Sequence, residues 1–288
     1  MGMLIDGTWS EKEQKRTGDG GEFIRPVSPY RNFIGGADGQ FPAAAGRYHL
    51  FVNAGCPWAY RTVLYRSLKG LEDLISISFT EPAAGSEGWT FGDTPEPLLG
   101  ARHIHDVYAA ADDSFTGRCT VPVLWDFETQ TIVNNESADV IRMLNSAFDG
   151  LEGVNPVNFY PASLASEIDA LNELIYENVN NGVYRCGFAG SQAAYDLAFD
   201  RLFQTLDELD ALQVAITYGR RRILNSEPKP TLTVVAPDDD LETRIRKQLH
   251  HLQSGNATDF TGRIAFEPSV SHRRAKRRRL ASRQQPPS

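Results

Sequence analysis

The most constraining stretch of the chain is a cysteine-proline pair set between a short apolar strand and a helix. Residues 47–53 (RYHLFVN) have the composition of a strand, Gly55 leads into Cys56-Pro57, and residues 58–68 have helical character. Pro57 fits the first helical position, where its missing N–H costs nothing. Residues 74–79 (LISISF) then read as a second strand. Strand, turn, helix and strand in this order make a βαβ unit, which brings the end of the first strand to the start of the helix. A thiol there is expected to stand among free backbone N–H groups at the positive end of the helix dipole, an environment that favours its thiolate. The plainer reading of Cys56, a small buried core residue, is outweighed by the Cys-Pro-Trp sequence at this junction.

The flanking segments extend the unit into a domain. Residues 1–46, with Pro26, Pro29, Pro42 and repeated glycines, break any periodicity and are expected to be an extension of turns and loops that wraps a surface. A polar segment, 80–118, follows the second strand. Residues 121–125 and 131–133 read as a hairpin around a turn at 126–130, and residues 134–145 as a helix with a polar start. The sum, β-α-β then β-β-α, is the order of a thioredoxin-like domain over 47–149. Residues 150–161 have the composition of a linker. Beyond them, apolar residues recur at helical spacing over 164–179 and 192–212, so an all-α domain begins at about 161 and runs to 212.

Composition excludes several classes of function. With 41% hydrophobic and 10% aromatic residues in 288, the chain can bury a core. It has no apolar run of membrane-spanning length and no signal-peptide pattern at its start, so a cytoplasmic protein without a membrane partner is expected. The three cysteines, Cys56, Cys119 and Cys186, have neither a disulfide-framework nor a zinc spacing. His103 and His105 alternate as on a strand with no further His or Cys nearby in sequence, which favours surface histidines over a metal site. Ala59 occupies the position three after Cys56, so an internal disulfide cycle is excluded and an external thiol, glutathione, is expected to resolve the monothiol.

Charge divides the chain. Residues 1–216 hold 14 Lys+Arg against 30 Asp+Glu, whereas 217–288 hold 15 against 7 and only Tyr218, Phe260 and Phe266 of the 29 aromatics. Loss of aromatics together with a change of charge sign marks 213–288 as an atypical tail, disordered or read in a shifted frame. Leu241, Ile245, Leu249 and Leu252 fall on one helical face, so a single helix is expected there. The basic run at 272–279 reads as a solvated tail and not as a nucleic-acid patch, because no aromatics interleave with it.

The segment Gly55-Cys56-Pro57-Trp58-Ala59-Tyr60-Arg61-Thr62 resembles the Cys-Pro-Trp-Ala-His-Arg-Thr motif of the glutathionyl-hydroquinone reductases, the Xi class of glutathione transferases. Residues 47–50, 69–73, 88–91, 120–126, 135–138 and 180–184 resemble further family segments in the same order, over about 23–211. The resemblance implies a glutathione transferase fold, α/β thioredoxin-like and then all-α, with the C-terminal part incomplete. It implies that Cys56 attacks the sulfur of a glutathionyl-hydroquinone and forms a mixed disulfide, with glutathione as co-substrate and no metal. Tyr184 matches the family's proton donor. Trp89, the segment Arg118, Cys119, Thr120 and Val121, and Glu136 with Ser137 match its glutathione contacts; the proline after Val121 is cis in such folds, and a homodimer is in keeping with the resemblance. Glu136 and Ser137 are expected to open a helix, Ser137 also serving as a plain N-cap. Tyr60 replaces the family's His on the first helical turn, where it is expected to affect the thiolate or the quinone pocket. Omega-like deglutathionylation or dehydroascorbate reduction, and a catalytically weak glutathione-binding protein, are the alternatives.

Overall fold

The computed structural model describes residues 2–12, 16–37 and 39–224, with side chains described through Asp210. Contacts divide the chain after Gln213, and the first unit holds the sheet and the cavity built on it. The tail from 225 onward, including the helix expected near 241–252, lies outside the described residues.

Four strands form the central sheet: β3 (Tyr48–Val52), β4 (Ile75–Phe79), β5 (Val123–Asp126) and β6 (Thr131–Asn134) in the order β4-β3-β5-β6. A short hairpin, β1 (Met3–Ile5) and β2 (Thr8–Ser10), precedes it. β3 runs parallel to β4 and antiparallel to β5, which pairs antiparallel with β6. The parallel pair requires a crossover, and α1 (Pro57–Leu68) supplies it. Every residue of β3 and β5 is buried, so the sheet is covered on both faces and its strands need no polar alternation. α3 (Ser137–Ser146) packs against α1, while α2 (Ile104–Ala111) touches β6 and β1. Trp125, Tyr48, Phe51, Leu50 and Tyr108 fill the core. The βαβ unit and the hairpin thus form where the apolar runs of the sequence place them.

Before the helical part, three elements differ from the sequence-based expectation. The 80–118 stretch contains α2, an eight-residue helix closed at its start by a capping box in which Asp106 accepts from the His103 backbone. His103 and His105 therefore open a helix and do not alternate along a strand, and both are half-buried, not surface residues. α3 begins at Ser137, three residues after the start that composition suggests and where the resemblance places it, and its N-cap is not Ser137 but Glu136, whose carboxylate accepts from the Ala138 N–H. The extension is no mere loop either, because it carries the β1–β2 hairpin and contributes Leu4, Phe23, Ile34 and Phe41 to the buried set.

The helical part follows the linker. α4 (Ala165–Ile175) runs into a π-helical turn, Tyr176–Asn180, then α5 (Gly182–Gly187) and α6 (Gln192–Leu224). The backbone of α6 thus remains helical twelve residues past the expected end at 212. Leu164, Leu171 and Leu197 are exposed.

A buried ion pair ties β3 to β5. Arg47 donates from Nε to Asp126 Oδ1 at 2.8 Å and from Nη2 to Oδ2 at 2.6 Å, and Asp126 is fully buried. Burial alone would raise the Asp126 pKa, but the Arg47, Thr129 and backbone hydrogen bonds outweigh it and hold the carboxyl below its ordinary value. The depressed folded value means that this stabilisation is complete above the unfolded-state pKa and is lost as pH falls through the folded one. Asp126→Ala should therefore cost about 3 kcal/mol at neutral pH, since the buried guanidinium loses its bidentate partner and keeps only the exposed Glu128 carboxylate and the Gln40 carbonyl. Denaturant unfolding at neutral and acid pH should show the variant to be less acid-sensitive than the parent.

Candidate active site

The site is assembled where the strand ends meet the start of α1. Asn53, buried just after β3, donates to Thr80 Oγ1 (2.9 Å) and to the Glu81 carbonyl (2.7 Å) and accepts from the Gly55 N–H (2.8 Å). This fixes the loop that delivers Cys56. Cys56 is the N-cap of α1 with an extended backbone, Pro57 follows at the first helical position, and no side chain caps the helix. The sulfur therefore stands at a helix N-terminus whose orphan N–H groups are available to a ligand.

Across from it the Val121–Pro122 peptide is cis, as expected, and Cys56 Sγ lies 3.9 Å from the Val121 carbonyl oxygen. A single phenol braces this loop against the start of α3. Tyr108 of α2 donates to the Thr120 carbonyl (2.9 Å), while its own oxygen accepts from Asn135 Nδ2 (2.8 Å). Full burial pushes the Tyr108 hydroxyl up to about 12, so it stays neutral and keeps its proton to donate.

At the start of α3, Ser137 Oγ accepts from Arg61 Nη2 (2.7 Å) and Nε (3.1 Å), and Glu136 accepts from Ser28 Oγ (3.0 Å). From the helical part, Tyr184 of α5 brings its hydroxyl to Trp58, whose Nε1 donates to it at 3.0 Å. The π-helical turn before α5 lies next to this contact, and such turns recur at functional sites.

Cys56, Trp58, Pro122, Asn135, Ser137 and Tyr184 line one cavity of about 520 Å³, large enough for a tripeptide and an aromatic ring, while Asn53, Arg61 and Tyr108 brace it from behind. Of the residues singled out in the sequence, Cys56, Tyr184, Trp89, Arg118, Thr120, Val121, Glu136 and Ser137 all line it. Cys119 does not; it is buried in the core, and burial pushes its thiol up to about 12. Cys186 is half-buried, and burial likewise raises its pKa. Tyr60, on the first turn of α1, is not among the lining residues. The wall that sequence reasoning missed is the extension: Arg16, Phe23, Arg25 and residues 26–29 close the cavity beside Trp58, Tyr176 and Phe188.

Outside the cavity, His103, His105 and Asp106 bring their ligating atoms within 4.8 Å of one another. Asp106 is already engaged by the backbone amides of Arg102 and His103 and by His105 Nδ1 at 3.1 Å. No helix among the described residues is long and apolar enough to cross a membrane.

A cysteine at a helix N-terminus facing a cis X-Pro peptide, on a β4-β3-β5-β6 sheet that leads into helices, defines a thioredoxin-like domain of the glutathione transferase type. The family model for the glutathione S-transferase N-terminal domain matches residues 55–147. Glutathionyl-hydroquinone reductase PcpF of Sphingobium chlorophenolicum is 49% identical over 214 residues, covering 73% of this chain and 67% of the relative. Glutathionyl-hydroquinone reductase YqjG of Escherichia coli K12 is 46% identical over 224 residues, 74% of this chain and 68% of the relative. The chain belongs to the glutathionyl-hydroquinone reductases, the Xi class of the glutathione transferase family. Among solved structures, the Xi enzyme from Phanerochaete chrysosporium has a TM-score of 0.65 at 44% identity, covering 68% of this chain and 65% of the other. Glutathione-bound YqjG has a TM-score of 0.61 at 39% identity, with coverage of 88% and 74%. The chain thus spans about two thirds of the length of most relatives it matches.

Proposed function

We propose that the protein reduces glutathionyl-hydroquinones to hydroquinones with glutathione as the reductant. The observation that carries this reading is the convergence of Cys56, the cis Val121–Pro122 peptide, Ser137 and Tyr184 on one cavity. Glutathione lies along the Arg118–Val121 segment, pairing its backbone with the peptide before Pro122 as an added strand. Its γ-glutamyl carboxylate meets Ser137 and the N–H groups at the start of α3, and its ammonium meets Glu136. Trp89 covers the tripeptide.

The reaction balances in two steps. The Cys56 thiolate attacks the thioether sulfur, a Cys56–glutathione disulfide forms, and the electron pair of the broken carbon–sulfur bond stays on the aromatic carbon, which takes a proton from Tyr184. A second glutathione returns its thiol proton to Tyr184 and, as thiolate, attacks the mixed disulfide at the glutathione sulfur, releasing oxidised glutathione and the free Cys56 thiolate. One ring carbon is reduced by two electrons, and two glutathione sulfurs are oxidised to the disulfide.

The names of the PcpF and YqjG relatives support this reading, and so does the seat of Tyr184 beside Trp58. Simple disulfide reduction, as in the omega-like alternative, needs no proton on carbon and gives Tyr184 no chemical task. Chromatographic detection of free hydroquinone from glutathionyl-hydroquinone and glutathione tests the proposal. Production that depends on both glutathione and protein supports it, and reduction confined to aliphatic mixed disulfides would refute it.

The binding half of the proposal has its own check. Ser137→Ala should raise KM for glutathione about tenfold with little change in kcat, because it removes a ground-state contact that persists in the transition state. Steady-state kinetics with glutathione varied measures it.

A further inference from the structure

One charged group that lines the cavity, Arg25 from the extension, is incompletely satisfied. Its Nε donates to Asn181 Oδ1 at the start of α5, but its Nη2 is buried without a hydrogen-bond partner among the described residues. No ion pair joins Arg25 to a carboxylate among the described residues. The guanidinium lies over aromatic faces instead, its carbon 4.4 Å from the Tyr184 ring centre, 5.0 Å from Trp58 and 5.5 Å from Phe23. A cation held on ring faces is retained at modest cost, yet a buried N–H with nothing to donate to remains expensive. Arg25 lines the cavity, so a small shift of its guanidinium toward an acceptor on a bound ligand relieves that expense.

The chemistry of the surroundings identifies that acceptor. Phe23, Tyr184 and Phe188 stack with centroids 5.6–6.2 Å apart, which makes a panel suited to a flat aromatic ring beside Cys56. An oxygen on such a ring is an acceptor, and if ionised it is also the counter-charge that Arg25 lacks among the described residues. We propose that Arg25 receives a ring hydroxyl or phenolate oxygen of the aromatic co-substrate, so that the site selects thioethers of phenolic rings over the same rings with their oxygens capped. The proposal rests on the hydroquinone reading above, and it makes a residue of the extension a determinant of substrate class.

Binding measured in a Cys56→Ser background tests the assignment without turnover. Calorimetric titration compares three ligands: glutathionyl-hydroquinone, its ring di-O-methyl ether, and glutathione alone. With Arg25 present, the free hydroquinone conjugate should bind about 10- to 100-fold more tightly than the ether. Arg25→Met should abolish that preference and leave glutathione affinity within about threefold, while Arg25→Lys, which keeps the charge and loses the planar fork, should retain part of it. Equal weakening of both conjugates in both variants would make Arg25 a packing residue. A matching loss for glutathione itself would assign Arg25 to the tripeptide, and no preference in the parent would also overturn the proposal. Failure of the parent enzyme to release hydroquinone would count against the proposed function alone, because the binding preference is read independently.

Discussion

Replacement of Cys56 by Ser is expected to lower glutathione-dependent turnover by on the order of a thousandfold or more, whereas Cys119→Ser and Cys186→Ser should keep most of it. The difference follows from where the fold places three chemically identical groups. Of the three, only Cys56 lines the cavity, and only Cys56 occupies the N-cap position of a helix, beside its free N–H groups. Burial drives the Cys119 thiol up to about 12 and raises that of Cys186, so at neutral pH both remain protonated and poor nucleophiles. Steady-state assays on the three single variants measure the contrast. Comparable losses in the Cys119 and Cys56 variants would mean that the sulfur chemistry had been assigned to the wrong place.

Tyr184→Phe carries the second large effect, and it should appear in one reaction only. Release of hydroquinone needs a proton on the aromatic carbon, so loss of the phenol should slow it about a hundredfold or more. Reduction of an aliphatic glutathione mixed disulfide leaves only sulfur to be displaced and should change less than about threefold. The two assays on one preparation also control for folding, since Phe keeps the ring that stacks with Phe23 and Phe188. Equal losses in both reactions would reduce Tyr184 to a packing partner of Trp58.

The parts of this molecule legible in its sequence are those with a local physical signature. The β3-α1-β4 unit shows itself through two apolar runs and a proline at the first helical turn, features fixed by neighbouring residues alone. The β5–β6 hairpin is bounded by a turn, and α3 has an apolar face. Other parts are legible only with a resemblance, because nothing local distinguishes Tyr184 from any half-buried helix aromatic. The β1–β2 hairpin does carry a signal, Asp6-Gly7 with both residues at positive φ, flanked by strand-forming residues, although its strands are only three residues long. α2 is hidden because its eight residues lie in a stretch dominated by glycine, proline and polar side chains, and its capping box uses His103 in place of Ser or Thr. The start of α3 lies later than its composition suggests because Asn134 ends β6 and Asn135 turns back to Tyr108, tertiary demands that no propensity records.

Arg25 lies furthest from sequence reach. The segment around it has no periodicity, and its importance comes from contacts more than a hundred residues away, with Tyr184 and Asn181. The extension as a whole behaves this way. Asn32 donates to the Val133 carbonyl at 3.0 Å, Asn135 donates to that of Tyr30 at 3.1 Å, and Ser28 donates to Glu136, so the segment runs along β6 into the cavity. A polar, proline-rich stretch that reads as turns and loops wrapping a surface is in three dimensions a wall of the site.

In the proposed cycle Cys56 takes the glutathionyl group from an aromatic thioether before a second glutathione removes it. Mass spectrometry of protein mixed with glutathionyl-hydroquinone in the absence of free glutathione, quenched in acid and digested, tests this most directly. One added glutathione is expected on the peptide containing Cys56, formed together with free hydroquinone and discharged when glutathione is added. Release of hydroquinone with Cys56 unmodified, or a glutathionyl group on Cys119 or Cys186 in its place, would contradict it.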